Sequence, residues 1–281
     1  VTQSDVLAVL QAVGQRIGDA NGLCAPVHSP VSGKVKAVEP RPHTSGTNCM
    51  SVVIENDHLN TLCPDIQPRT AEQVEALTTQ ELMDIVHDAG IVGMGGATFP
   101  CHVKLCPPPG QKAECVIINA VECEPYLTAD HQLMLEKPEQ ILVGVSLLMR
   151  AVNVTKGYIG IENNKPDAIA LMREKAAKYP NIEIVPLKVQ YPQGGEKQLI
   201  DAVIGRQVPN PPAIPIAVGA VVQNVGTAYA VYEAVIKNKP LFERVVTVTG
   251  KALANPSNLL TRMGTPMSML IEAAGGMPEN T

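Results

Sequence analysis

The sequence predicts an α/β protein with a largely parallel central sheet, preceded by a small β domain and followed by a short β-rich module. The first sixty residues alternate apolar and polar positions in period two, and strand-like periodicity returns from Phe242. Between Glu114 and Asn238, strand-like and helix-like segments alternate, which is typical of a parallel sheet covered by helices. A chain of 281 residues with 45% hydrophobic content can bury the cores of two or three such domains.

The N-terminal β prediction rests on the segment "APVHSPVSGKVKAVEPRPHTSGTNCMSVVIEN". Its period-two alternation breaks at Gly33, at Pro40–Pro42 and at Ser45-Gly46. Glycine and proline at such intervals punctuate short strands, so the segment predicts a hairpin-rich small barrel or sandwich. The stretch 64–70 that follows contains two prolines and predicts a linker.

A helix is predicted next, because Thr78 and Glu81 form the capping-box pattern. Apolar residues at 82, 85, 86 and 89 then make one stripe at helical spacing, and Gly90 stands where a helix C-terminus favours glycine. The alternating region follows, with proline at a predicted helix start in 165–179 and glycine at the predicted helix end 205. The predicted strands are 114–120, 156–163, 181–187 and 214–224, and the predicted helices are 138–153, 165–179, 196–205 and 226–238. From Phe242 a strand, a hairpin and a short helix are predicted.

Composition excludes several classes of function. The net charge is −5, so we expect no broad basic face and no nucleic-acid partner. The longest apolar run, Ile141–Met149, is too short for a membrane-spanning helix. Seven cysteines form an odd, irregular set without any C-x2-C pair, and Pro109 stands where a plant-type cluster after Cys101 and Cys106 needs cysteine. We therefore expect reduced thiols in a cytoplasmic setting and no metal site on this chain.

The stretch "GIVGMGGATFP" at 90–100 packs four glycines into seven positions. It follows a helix and lacks the third glycine of a dinucleotide fingerprint, and no Gly-Lys-Ser/Thr follows for a Walker loop. What remains is a loop whose backbone amides could cup phosphate or lie under a planar ring, with Phe99 as a stacking platform and Lys104 as a nearby cation. A glycine-rich turn with a core phenylalanine is an equally good interpretation of this stretch.

Three further stretches place polar groups at predicted strand ends or helix starts. "INAVECEPYLTAD" leaves a buried strand at Asn119 and presents Glu122 and Glu124; "YPQGGEKQL" leads into a helix, which is a ready anion site; "VVQNVGTA" ends a strand before another helix. Ligands of open α/β sheets bind beyond the carboxyl ends of the strands. The acids suit ribose hydroxyls or ring N–H groups, although a solvated turn also accounts for them.

Taken in order, the strings "GIVGMGGATFPCHVKL", "INAVECEPYLTADHQLM", "YPQGGEKQLI", "GRQVP" and "VVQNVGTAYAVYEA" resemble the C subunits (RnfC) of Rnf ion-translocating NAD:ferredoxin oxidoreductases. More distantly they are similar to the flavoprotein subunit of respiratory complex I. The resemblance implies three domains: a barrel-sandwich (lipoyl-like) domain at 1–62, a Rossmann-like parallel-sheet FMN/NADH-binding domain at 63–241, and the start of a β-grasp SLBB module at 242–281.

The resemblance also implies site residues. Phe99 and Glu124 face NADH, and no residue acts as a catalytic acid or base, because FMN exchanges a hydride with NAD(H). The chain departs from complex I at Thr98, Val121, Cys123 and Lys197, and the departures at Val121 and Lys197 remove carboxylates from the nucleotide side. The implied FMN-binding residues are Gly93, Gly95, Gly96, Lys104, Asn119, Glu122, Gly195, Glu196, Gln223 and Asn224.

At the level of function, the resemblance implies an NADH-oxidising electron-input subunit of a membrane-bound translocase, peripheral on the cytoplasmic face of the cell membrane. Its implied partners are NADH, a ferredoxin-like B subunit and membrane subunits. The family's two ferredoxin-type cysteine runs do not occur before Thr281, so [4Fe-4S] clusters are expected only in a longer protein, of which this chain is a piece. Two alternatives remain open: a cobalamin reductase of the same family, and a flavin-free scaffold like a subunit of the sodium-pumping NADH:quinone reductase.

Overall fold

A computed structural model of the protein describes residues 10–43 and 45–278. The N-terminal part is β-rich, as predicted. A three-stranded antiparallel sheet has the order β1-β4-β5, and β2 pairs with β3 in a second small sheet. The five strands are β1 (Leu10–Gln11), β2 (Arg16–Gly18), β3 (Val27–His28), β4 (Gly33–Pro42) and β5 (Asn48–Asn56).

The predicted break at Pro40–Pro42 is wrong, because β4 continues through both prolines and pairs with β5 as far as Pro42 and Asn48. Within the described residues, β1 pairs only with Gly33 and Lys34, so the distal half of β4 is an edge strand on that side. Proline, which lacks an amide hydrogen, is tolerated at such an edge.

Two helices precede the glycine-rich loop, α1 (Ala71–Ala76) and α2 (Thr79–Asp88). The α2 prediction is confirmed in detail: Thr78 and Glu81 form both bonds of the capping box, and Gly90 beyond the helix end has φ +67°. The sequence interpretation missed α1, which begins directly after the linker and has a capping box of its own between Thr70 and Gln73.

The central domain contains a four-stranded, all-parallel sheet with the order β8-β7-β6-β9, which confirms the α/β prediction. One face is covered chiefly by two long helices, α5 and α8, which pack so closely that a Cβ at Gly144 would meet the backbone carbonyl of Ala228. In chain order the elements are α3 (Cys101–Lys104), β6 (Cys115–Asn119), α4 (Ala129–Glu136), α5 (Pro138–Ala151), β7 (Gly157–Glu162), α6 (Pro166–Ala176), β8 (Ile182–Leu187), α7 (Glu196–Ile204), β9 (Ala220–Asn224) and α8 (Val225–Lys237).

Two features of this domain differ from the sequence prediction. The predicted strand 214–224 is half as long, because Pro215–Val218 forms a 3₁₀ turn that ends at Gly219 with φ +75°, and only 220–224 is extended. Helix α4 was not predicted; its first turn is capped by Glu122, which lies outside the helix and is joined to it through an irregular loop.

The C-terminal module has the predicted order of a hairpin and a short helix: β10 (Glu243–Val248), β11 (Ser257–Arg262) and α9 (Met267–Ala273). The hairpin contacts both other parts of the chain. Arg262 donates to the Pro30 carbonyl of the N-terminal part at 2.7 Å, and Asn258 donates to Thr128 of the central domain. No helix among the described residues is both long and apolar enough to cross a bilayer.

Candidate flavin-binding cleft

A cleft of about 680 Å³ opens at the carboxyl edge of the parallel sheet. Its walls are the glycine-rich loop, the ends of β6 and β9, the start of α7 and residues 214–216. This volume lies in the range of small-molecule sites, and the position is the one where open α/β sheets bind ligands. Eleven residues of the predicted sites or beside them meet here: Gly93, Gly95, Gly96, Phe99, Lys104, Asn119, Gly194, Gly195, Glu196, Gln223 and Asn224.

The glycine-rich loop presents bare backbone to this cleft. Its two ends are held as a short hairpin, because the Gly93 amide donates to the Phe99 carbonyl at 2.9 Å. A Cβ placed at Gly96 would find no heavy atom of the described residues within 4 Å, whereas one at Gly95 would lie 3.0 Å from the Asn224 side-chain nitrogen. Phe99 is 39% exposed and lines the cleft, so the alternative of a core phenylalanine is not supported.

A lysine–glutamate ion pair lies in the wall of the cleft, at the start of α7. The Lys104 ammonium donates to the Glu196 carboxylate at 2.7 Å and to the Val222 carbonyl at 3.3 Å. Glu196 is the first residue of α7, whose N-cap, Gly195, makes no side-chain capping bond in the described chain. The amide groups of a helix N-terminus favour an anion, so a phosphate or a carbonyl dipole suits this end of the cleft.

The three side-chain amides at the strand ends have different roles. Asn119 donates to the Gly194 carbonyl at 2.8 Å and so ties the end of β6 to the loop before α7. Asn224 accepts from the Gly226 amide at 2.8 Å and caps α8. Gln223 is 3% exposed, and its side-chain nitrogen has no hydrogen-bond partner among the described residues. Because a buried donor without a partner is costly, Gln223 is the group here that most needs an acceptor from a ligand.

Two of the three predicted glutamates, Glu122 and Glu124, lie outside the residues that line the cleft. Glu122 has φ +49°, and its carboxylate accepts from the Asp130 amide at 2.8 Å and the His131 amide at 3.1 Å. It therefore caps α4, and its contact with a flavin stays a prediction. Glu124 is exposed and accepts from the Tyr191 hydroxyl at 3.0 Å, which raises the pKa of that tyrosine.

Two charged residues beneath the cleft were given no role by the sequence interpretation. Asp130 accepts from the Asn224 side chain at 2.7 Å, and burial together with the nearby Glu122 carboxylate raises the pKa of Asp130 to about 6. Lys165 is buried and donates to the Val121 carbonyl at 2.8 Å, which fixes the turn after β6. The sequence signal for Asp130 was its position in the acidic stretch; nothing marked Lys165, which stands among solvated-looking residues.

Thiols and metal ligands add little to this picture. All seven cysteines are unpaired, and burial raises the pKa of the Cys101 thiol to about 12. In the part of the chain that the structure describes, no three His, Cys, Asp or Glu side chains converge as a metal site would require.

Three family models match successive parts of the chain. The Nuo51 FMN-binding domain matches residues 86–233, the RnfC barrel sandwich hybrid domain matches 8–59, and the SLBB domain matches 245–281. The first of these spans just over half of the sequence and contains the whole cleft. The chain belongs to the family of proteins that carry the Nuo51 FMN-binding domain.

Among curated proteins, the chain is 49% identical over 266 residues to the C subunit of the Na(+)-translocating ferredoxin:NAD(+) oxidoreductase complex of Acetobacterium woodii, a match that covers 94% of this chain and 59% of that protein. It is 43% identical to the proton-translocating counterpart of Clostridium ljungdahlii, over 95% of this chain and 58% of that protein. A third relative, the C subunit of the ion-translocating oxidoreductase complex of Serratia proteamaculans, is 40% identical, over 95% of this chain and 37% of its own length. The chain thus spans about three fifths or less of these relatives.

Among solved structures, the chain is similar to the NAD+-reducing [NiFe]-hydrogenase in its H2-reduced state, with a TM-score of 0.62 and 25% identity. The match covers 73% of this chain and 41% of that chain. The air-oxidised state of the hydrogenase gives the same TM-score at 26% identity.

The residues of the cleft fit FMN. Gly96 leaves open space over bare backbone, which suits a flat ring, and Gln223 offers an unpaired donor to a ring carbonyl. The amide groups at the start of α7 favour an anion such as a phosphate, and Lys104 lies beside them in its ion pair with Glu196. These features were found in the geometry of the chain itself, and they agree with the domain that the family model describes.

Proposed function

We propose that this chain is the NADH-oxidising, electron-input part of an ion-translocating ferredoxin:NAD+ oxidoreductase, with FMN in the cleft. The single observation that carries the proposal is the cleft itself, which is lined both by open backbone at Gly96 and by Gln223, a buried residue whose side-chain nitrogen has no partner among the described residues. The names of the Acetobacterium and Clostridium relatives supply the class of complex. The sequence prediction of an electron-input flavoprotein leads to the same proposal.

When bound, FMN supplies hydride acceptance from a nicotinamide and one-electron transfer onward. The chain's own residues bind and orient it. Gly93, Gly95 and Gly96 give a surface without side chains, and Gln223 donates a hydrogen bond. Lys104, held by Glu196 at 2.7 Å and by the Val222 carbonyl at 3.3 Å, is proposed to contact the phosphate or a polar edge of the ring. We assign no residue of the cleft as a general acid or base, because the flavin itself carries out the redox chemistry.

Asn119 and Asn224 hold the walls of the cleft. Asn119 fixes Gly194 next to the α7 N-terminus, and Asn224 joins the start of α8 to Asp130. Gly195 and Glu196 complete the wall opposite the glycine-rich loop. We assign Glu122 an indirect role, in which it fixes helix α4 and thereby the position of Asp130.

We assign the NADH side to Phe99 and Glu124. Phe99 is exposed at the cleft and offers a ring face on which a nicotinamide or adenine could stack. Glu124, paired with the exposed Tyr191 hydroxyl at 3.0 Å, is an acceptor for ribose hydroxyls or a carboxamide.

The assembly is proposed from the relatives, since the chain spans only part of their length. Our proposal includes [4Fe-4S] clusters in the remainder of the protein, a ferredoxin-like B subunit and membrane subunits as partners, and a peripheral position on the cytoplasmic face of the membrane. The translocase activity is assigned to the whole complex. The three domains are proposed to span 1–62, 63–241 and 242–281, and the family matches lie within these limits.

The two alternatives have less support. A cobalamin reductase does not account for the match of residues 8–59 to the RnfC barrel sandwich hybrid domain. A flavin-free scaffold has no need for open backbone at Gly96, or for a buried donor on Gln223 that lacks a partner among the described residues.

The test is to load the purified chain with FMN, remove the excess and denature it. We expect about one FMN per chain in solution, because the cleft holds it without a covalent attachment. Under anaerobic conditions NADH should bleach the visible flavin band of the loaded chain, and ferricyanide should restore it. Absence of retained flavin, flavin that stays on the denatured polypeptide, or flavin that NADH does not bleach would each contradict the proposal.

A further inference from the structure

The backbone of Met94, between two glycines of the glycine-rich loop, is anchored through both its amide and its carbonyl. Its amide donates to the Thr227 hydroxyl at 3.0 Å, and its carbonyl accepts from the Arg244 guanidinium at 2.9 Å. Thr227 is fully buried at the start of α8 and also bonds to the Val92 carbonyl. Gly93 and Gly95, on either side of Met94, line the cleft. The loop is therefore fixed at one residue whose own side chain is not part of the cleft wall.

Arg244 belongs to β10 and thus to the C-terminal hairpin. Its charge also acts on Asp130, where it opposes the rise in the pKa of that carboxyl. The same hairpin reaches the second loop of the cleft through Asn258, which donates to the Thr128 carbonyl at 3.2 Å, and Thr247, which accepts from the Thr128 amide at 3.1 Å. One hairpin therefore contacts both the glycine-rich loop, at Met94, and the acidic loop, at Thr128.

A loop with several glycines has many accessible backbone states, and fixing them upon binding costs affinity. An external anchor that fixes the loop before the ligand arrives removes part of that cost. Arg244 is such an anchor, because its partner is a backbone carbonyl inside the loop and not a side chain at its edge.

We propose that Arg244 is a positioning residue for the flavin, so that the C-terminal hairpin is a working part of the flavin site. This inference rests on the proposed binding of FMN in the cleft. The competing account is that Arg244 only attaches the hairpin to the rest of the chain.

The chain offers a matched control in Arg262, on the other strand of the same hairpin. Arg262 donates to the Pro30 carbonyl at 2.7 Å, pairs with Glu243 at 3.1 Å and lies over the Phe242 ring at 4.9 Å. It has at least as many attachments as Arg244, but its carbonyl partner lies in the N-terminal part. Loss of Arg262 should therefore lower the melting temperature without a specific effect on flavin.

The experiment compares Arg244→Met, Arg244→Lys and Arg262→Met with the wild-type chain. The measurements are the FMN dissociation constant from quenching of flavin fluorescence, the melting temperature, and hydrogen exchange of the 93–99 amides in the FMN-free protein. We expect Arg244→Met to weaken FMN binding about tenfold and to speed exchange in the loop, with Arg244→Lys intermediate. Arg262→Met should leave the FMN dissociation constant and the loop exchange as in the wild type, even where its melting temperature is lower than that of Arg244→Met.

Equal loop exchange in Arg244→Met and Arg262→Met, or an unchanged FMN dissociation constant in Arg244→Met, would overturn the inference. Should Arg244→Met fail to fold, Thr227→Val takes its place, because it removes the hydroxyl that accepts from the Met94 amide. Unchanged loop exchange or an unchanged FMN dissociation constant in Thr227→Val would then overturn the inference. A wild-type chain that bound no FMN would overturn the proposed function as well, so the two failures are distinguishable.

Discussion

The glycine-rich loop at 90–100 and the acidic loop at 119–130 lie at the same edge of the sheet, but they are built in opposite ways. The first turns backbone toward the cleft, and a Cβ added at Gly96 would find no heavy atom of the described residues within 4 Å. The second uses its side chains internally, with Glu122 capping α4 and Asp130 holding Asn224. We therefore expect a ligand to contact the first loop directly. The second loop should affect the ligand only through the residues whose positions it fixes.

The largest effect is expected where a side chain is added to the contacting loop. Gly96→Val places its methyl groups in the space of the flavin without a clash inside the protein, so we expect FMN affinity to fall by about a hundredfold or more with little loss of stability. Gly18→Val is the control, because its Cβ would lie 3.8 Å from Val27 in the N-terminal part, far from the cleft. Equal FMN affinity of Gly96→Val and the wild type would contradict direct contact between the flavin and the glycine-rich loop.

The acidic loop should make the free energy of unfolding depend on pH. The pKa of Asp130 is raised from its ordinary 3.8 to about 6, so the protonated carboxyl favours the folded state below pH 4. That contribution, on the order of 3 kcal/mol, is lost as the pH rises through about 6. Asp130→Asn lacks this titration, so the free energy of unfolding of the wild type minus that of the variant should fall between pH 4 and 6. Chemical denaturation at a series of pH values measures this difference in the free energy of unfolding. A difference that does not change with pH would contradict the raised pKa of Asp130.

A smaller effect is expected from Glu122→Gln. The amide keeps one acceptor oxygen for α4 but loses charge, and losing a hydrogen bond to a charged acceptor costs about 1.5–3 kcal/mol. Because the effect reaches the flavin indirectly, we expect FMN affinity to fall about tenfold, together with stability. Fluorescence titration and thermal melting test this jointly; a loss of affinity without any loss of stability would mean that Glu122 contacts the flavin directly.

The smallest effect is expected from Glu124→Gln, because Glu124 is exposed and its partner, the Tyr191 hydroxyl, is exposed as well. FMN affinity should stay unchanged, while the Michaelis constant for NADH with ferricyanide as acceptor rises about threefold to tenfold. Tyr191→Phe is the matched variant, since it removes the hydrogen bond and leaves the Glu124 carboxylate charged. If Glu124→Gln lost flavin as Glu122→Gln does, the division into a flavin side and a NADH side would be wrong.

Sequence patterns were sufficient for the strands β6, β7 and β8, for the long helices of the central domain and for the position of the cleft, but they missed α1, α4 and the 3₁₀ turn at Pro215–Val218. The end of a buried strand such as 115–119 is visible in the sequence, because the apolar run stops there. The parallel topology then brings the ends of β6 and β9 to one edge of the sheet, beside the glycine-rich loop. What the patterns could not give were contacts between distant positions. Asp130 and Asn224 are 94 residues apart, and Arg244 and Met94 are 150 apart. No local periodicity links such residues, and the capping role of Glu122 depends on the irregular loop between it and α4.

The central claim, that FMN lies against the glycine-rich loop with Gln223 as a donor, is tested most directly by a crystal structure of the FMN-loaded chain. The account predicts a flavin ring within van der Waals contact of the Gly96 backbone and a flavin oxygen or nitrogen within hydrogen-bond distance of the Gln223 side-chain nitrogen. A flavin bound elsewhere, or a Gln223 nitrogen that still lacks a partner with FMN in the cleft, would contradict it.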